Sequence, residues 1–156
     1  MKPFVLTEAR TLTDSDSGRT YFLNSLVGFE VTLPAPRAGI SFDFIVKTIP
    51  TTTGADYVIG AKDDDKIILG QIVTSNVIGL ADVAIESSGA SQLKFLFEDI
   101  AIGDSAEFIS DGTYWYATAF CSNHDAITIA EQSKSPSAST SASPSTSPSV
   151  SPSTST

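Results

Sequence analysis

The chain of 156 residues has one cysteine, Cys121, and one histidine, His124. A lone thiol excludes an internal disulfide framework. A lone imidazole means that any Ser-His-Asp or Cys-His nucleophile must be built on Cys121-Ser-Asn-His124 and the adjacent Asp125. Those two side chains also supply only half of the four Cys or His ligands that a structural zinc ion takes, so residues 121–125 read as a loop between strands. Positive charge is scarce as well: 9 Lys and Arg face 18 Asp and Glu, a net charge of −9. Without Lys134, residues 1–132 carry 8 against 18, or −10. So acidic a body excludes phosphate tracking along nucleic acid, which needs clustered cations, and disfavours anionic lipid. There is no apolar run long enough for a membrane span. Met1–Arg10 contains no signal-type apolar core, so the expectation is folding in a cytosol without ordinary secretion.

Motifs for chemistry are equally thin. No Walker or dinucleotide glycine pattern occurs. Asp63-Asp64-Asp65, with Asp56 upstream, lacks the interleaved spacing, turn glycine and distal Glu of a calcium loop and reads as a solvated acidic loop. The many acids offer carboxylate pairs of the kind glycoside hydrolysis needs, but nothing singles one out. No catalytic, cofactor-binding or metal-ligating residue is assigned, and the chain reads as a non-enzyme.

What is present is a strand grammar. Phe4-Val5-Leu6 and Thr20–Leu23 are short apolar runs. Phe29–Leu33 alternates, placing Phe29, Val31 and Leu33 on one face and Glu30 and Thr32 on the other. Pro34 and Pro36 stop it. In Ser41–Lys47, Phe42, Phe44 and Val46 alternate with Asp43, Ile45 and Lys47. Tyr57–Ile59 and Ile67–Leu69 follow, with Gln71–Val73 as a continuation beyond Gly70. Residues 74–91 hold only marginal strands at Val77-Ile78 and Val83–Ile85. Leu93, Phe95 and Phe97 form another alternating run, and Ala126–Ile129 a closing strand. No window carries a helical apolar stripe. Strands every 8–12 residues between Gly, Pro, Asn and Asp predict an all-β domain over 1–132, an antiparallel sandwich or barrel of jelly-roll type. Charged residues are 17% of the chain, below the usual quarter, which suits exposed faces of Thr, Ser and Asn. Residues 133–156 are two-thirds Ser and Thr with recurrent Pro; such a tail cannot offset its ordering entropy and is expected to be extended, solvated and open to O-glycosylation.

The densest signal is Ala106–Ala119, two strands joined at Asp111-Gly112, with a type I′ turn as the expectation. Tyr114, Trp115 and Tyr116 offer a platform for stacking on a sugar ring. Alternation sends Trp115 to the face opposite Tyr114 and Tyr116, however, so one side is expected to be core.

Gly18–Asn24, Val31–Pro36, Ala38-Gly39, Phe42–Lys47, Ile102–Asp104, Glu107–Gly112, Trp115-Tyr116 and Ala126–Ile129 together resemble a group of small β-rich proteins of marine and other aquatic viruses, mostly tailed phages. The resemblance spans roughly residues 18–129 and implies a structural virion protein, a capsid decoration or minor capsid protein displayed on the particle surface. It brings no catalytic residues. It implies a homotrimer made in the host cytoplasm, with the major capsid protein or other virion proteins as partners. The Ser/Thr/Pro tail departs from the compact pattern and suggests a projection from the particle. The alternative is a glycan-binding adhesion module that uses Trp115, Tyr114 and Tyr116 on cell-surface sugars.

Overall fold

The computed structural model describes residues 3–65, 67–75 and 83–130. The tail expected over 133–156 and the marginal strand Val77-Ile78 lie outside the described residues. The described chain forms twelve strands: β1 (Phe4–Leu6), β2 (Arg10–Thr11), β3 (Arg19–Leu23), β4 (Phe29–Thr32), β5 (Ser41–Val46), β6 (Tyr57–Gly60), β7 (Ile68–Thr74), β8 (Val83–Ala90), β9 (Gln92–Phe95), β10 (Ser105–Ser110), β11 (Trp115–Cys121) and β12 (Ile127–Ala130). Two sheets form an all-β sandwich, one ordered β1-β3-β5-β10-β11-β7-β8 and the other β12-β9-β6-β4-β2. Among the described residues no helix is long and apolar enough to cross a membrane.

Pairing is mixed. The ladders β5–β10, β10–β11, β7–β8, β6–β9 and β9–β12 are antiparallel. The ladders β1–β3, β3–β5, β2–β4, β4–β6 and β7–β11 are parallel. The parallel set follows from how the first six strands are laid down. Each connection from β1 to β6 crosses from one sheet to the other, so neighbours within a sheet are every second strand and run the same way. At the other side, β8 passes into β9 through Ser91 alone, one extended segment that bends out of the seven-stranded sheet into the five-stranded one.

Between the sheets lies one core. Tyr21, Leu23, Phe42, Phe44, Phe108 and Trp115 from the larger sheet are buried against Val31, Leu33, Tyr57, Ile59, Leu93 and Phe95 from the smaller. Large and small side chains alternate along the ladders: Phe44 sits beside Ala106, which sits beside Ala119. That alternation lets aromatic rings fill the space the alanines leave. Fully burying each such ring contributes about 1.5–3 kcal/mol.

Acidic side chains fasten the turns. Buried Asp16 accepts from Thr13 N–H (3.1 Å) and Thr13 Oγ1 (3.0 Å) and pairs with Arg10 (3.4 Å) and Arg19. Burial alone would raise its pKa, but these partners together bring it below the ordinary carboxylate value. Asp104, also buried, accepts from Ala101 N–H (2.9 Å), Ser122 N–H (2.9 Å) and Ser122 Oγ (2.8 Å), which ties the β9–β10 turn to the end of β11. The Tyr57 hydroxyl accepts from Ser25 N–H (2.7 Å) and lies 2.7 Å from the Thr48 carbonyl oxygen, joining two crossing loops.

Candidate interaction surface

The two outer faces of the sandwich differ in kind. On the five-stranded sheet the outward positions of the middle row are Glu30, Val58, Lys94 and Thr128, in register across β4, β6, β9 and β12. No large apolar side chain is exposed on that sheet among the described residues.

The outer face of the seven-stranded sheet is banded. One row crosses β1, β3, β5, β10, β11 and β7 as Val5, Phe22, Ile45, Ser105, Phe120 and Val73. Four residues away along the strands, a parallel row reads Ser41, Ile109, Tyr116 and Leu69. Between them runs a polar row, Thr20, Asp43, Glu107, Thr118 and Gln71. Val5, Val73, Ile109, Tyr116 and Phe120 are all exposed, Phe120 by 54%. Five strand spacings of ~4.8 Å make the face about 24 Å wide, and five residues at ~3.3 Å make it about 17 Å tall, roughly 400 Å². That is about half of the ~800 Å² one partner gives to a standard interface, so a single copy would bind weakly through it.

The polar row carries its own cost. Glu107 and Asp43 are direct cross-strand partners. Like charges so placed destabilise a sheet by about 0.2–1 kcal/mol. Asp43 accepts a hydrogen bond from Thr20 Oγ1 (3.3 Å), but no cation pairs with either carboxylate among the described residues. The strands therefore hold two unneutralised carboxylates between two apolar bands.

The hairpin expected at Asp111-Gly112 is present as β10–β11, with a different turn. Ser110 pairs with Trp115, which leaves a four-residue loop over 111–114. Asp111 φ is not positive, so the loop is not type I′; Gly112 alone takes the left-handed region, at φ 103°. The Asp111 carboxylate replaces the tight turn by accepting from Thr113 N–H (2.7 Å), Tyr114 N–H (2.8 Å) and Tyr116 Oη (3.0 Å).

Trp115 is fully buried, against Phe42 at 5.6 Å between ring centroids. It therefore cannot stack on a sugar in this structure, and the platform reduces to the exposed Tyr114 and Tyr116. Cys121 is buried too, its thiol 3.4 Å from Thr74 Oγ1, and burial pushes its pKa up, away from the thiolate that a nucleophile needs. His124 is exposed and pairs with Asp125 (2.8 Å). Asp56 accepts from Phe97 N–H (3.1 Å). Among the described residues no three His, Cys, Asp or Glu side chains gather as a metal site would require.

The face itself was missed from the sequence, although its signal is there. In Tyr21-Phe22-Leu23, Phe44-Ile45-Val46 and Phe108-Ile109, both alternation phases are apolar, whereas a strand with one solvated face needs only one. Comparison with protein-family models, curated proteins and solved structures finds no match to this chain.

Proposed function

We propose that this chain is a structural virion protein, a capsid decoration or minor capsid protein that attaches to the particle through the outer face of its seven-stranded sheet. The observation that carries this reading is the banded face: exposed apolar rows on one side of a sandwich whose other side is polar. Soluble monomers seldom leave such rows bare unless they dock something. Several of the stretches that resemble aquatic-virus proteins build this face, since they include β3, β5 except Ser41, and the greater part of β10. The small area suits a particle. Symmetric repetition, as a trimer or around a capsid axis, turns one weak contact per copy into strong attachment without new contacts. The acids most deeply placed in the fold, Asp16 and Asp104, are engaged in fastening turns, as befits a scaffold.

The test is mass spectrometry of purified particles with copy counting. A fixed stoichiometry per particle is expected; absence from the particles overturns the proposal.

A second reading, glycan binding, is favoured only by the exposure of Tyr114 and Tyr116 at the end of the β10–β11 hairpin. Retention on a glycan array that disappears in the double variant Tyr114→Ala, Tyr116→Ala would support it.

A further inference from the structure

We infer that the outer face of the seven-stranded sheet receives another protein's surface that presents a lysine or arginine between two apolar strips, and not a second copy of this chain. The inference rests on the reading of that face as an attachment surface. Charge decides the occupant. Glu107 and Asp43 stand side by side in the centre of the face with no cation paired to them among the described residues. Covering them with apolar surface would bury two unpaired charges, which is strongly unfavourable. Laying a second copy on the face with its rows aligned would bring four carboxylates together. Turning that copy so that its apolar rows cover the acids leaves them buried and unpaired again. The net charge of −9 on each copy adds repulsion over longer range.

A cationic side chain resolves both problems, because a guanidinium or ammonium hydrogen-bonds carboxylates in a charge-assisted way as water leaves. Geometry sets what flanks it. The apolar rows lie two residues to either side of the acids, about 6.6 Å along the strand direction. An extended segment of the form apolar-x-basic-x-apolar, laid along β10 and β11, has the same spacing. Its apolar residues would meet Phe120 on one side and Ile109 with Tyr116 on the other, and aromatic side chains are the usual anchors of interfaces.

The experiment places a photo-reactive phenylalanine analogue at Phe120 in the full chain, with Val58 on the opposite outer face as the comparison site. Adducts formed in infected cells and in particles are mapped by mass spectrometry. The expected adduct joins Phe120 to a peptide of another protein that has Lys or Arg flanked by apolar residues. Glu107→Lys is expected to weaken association with the cross-linked partner by about tenfold or more. The same variant is expected to leave the urea midpoint of the free chain unchanged or raised, since repulsion with Asp43 is relieved, so a lost interaction cannot be a lost fold. Lys94→Glu, on the other sheet, is expected to change neither. An adduct between two copies, no adduct at Phe120, or wild-type association by Glu107→Lys overturns the inference. Absence of the chain from particles would sink the virion reading alone, because the adduct formed in the cell still reports the partner's chemistry.

Discussion

At Asp111 one carboxylate organises a loop. Hydrogen bonds from the N–H groups of Tyr114 and Thr113, and then from the Tyr116 hydroxyl, hold its pKa below the ordinary carboxylate range. The bond that Tyr116 donates pushes the tyrosine's own pKa up. The sign of the linkage follows. A carboxylate with a lower pKa folded than unfolded contributes stability that is complete above the unfolded value of about 3.9 and lost as pH falls through the folded one. Carboxyl-detected NMR titration should therefore give Asp111 a midpoint below about 3.9. Asp111→Asn should bring Tyr116 ionisation back down toward about 10. An Asp111 midpoint at or above the unfolded value would show that the loop does not depend on these bonds. The sequence announces this hairpin through Asp-Gly, but not its turn type. Whether a two-residue or a four-residue loop forms depends on where Ser110 and Trp115 pair, and that is set by β5 and β7 on either side.

β7 shows what an element owes to its neighbours. Its sequence, Ile-Leu-Gly-Gln-Ile-Val-Thr, contains a glycine that ordinarily weakens a strand, yet the strand runs unbroken past it. The reason is close approach: a Cβ at Gly70 would stand 2.3 Å from the Ala117 carbonyl oxygen of β11. No flexible side chain is there to yield, so the backbone of one strand must move. Gly70→Ala is expected to destabilise the domain by about 1–3 kcal/mol, read as a lower urea midpoint; unchanged stability would mean that the β7–β11 ladder is not held this tightly. β8 makes the complementary case. Only Val83–Ile85 reads as a strand in the sequence, whereas the observed strand extends to Ala90. Its Ser-Ser-Gly stretch has little propensity of its own and forms an irregularity in the ladder, with Gly89 at φ 91°, while pairing of Val83–Glu86 and of Ala90 with β7 carries the strand across it. β2, a two-residue strand on β4, carries no sequence signal at all for the same reason.

Across the whole molecule, the sandwich has a middle and margins. β5 and β10 are paired on both sides within the larger sheet, while β1 is three residues long and paired on one side. Backbone amides in such positions open with different free energies, from near zero at frayed edges to the global value in central strands. Hydrogen exchange should be slowest at Phe44 and Phe108 and fastest in β1 and β2. Protection of β1 and β2 equal to that of β5 would show that the first turns of the winding fold and unfold with the core as one unit.

Which side chains face inward is a local property, because alternation with period two is written into each strand by itself. Phe42, Phe44 and Val46, like Val31 and Leu33, are legible as core without any knowledge of their neighbours, and they are buried. The acidity of the body and the turn positions of Asp104 and Asp111 are legible in the same way. Strand direction is not, because a Gly- or Pro-rich turn reads alike whether it closes a hairpin or carries the chain across to the other sheet. Only long-range backbone hydrogen bonding distinguishes them, and for β1 to β6 it selects crossing and hence parallel neighbours. The banded face depends on that choice. Val5, Phe22, Ile45, Phe120 and Val73 are scattered over nearly seventy residues in one stretch and fifty beyond it, and nothing local to any one strand relates it to the others. The tertiary register brings them into one row, with Asp43 and Glu107 beside them.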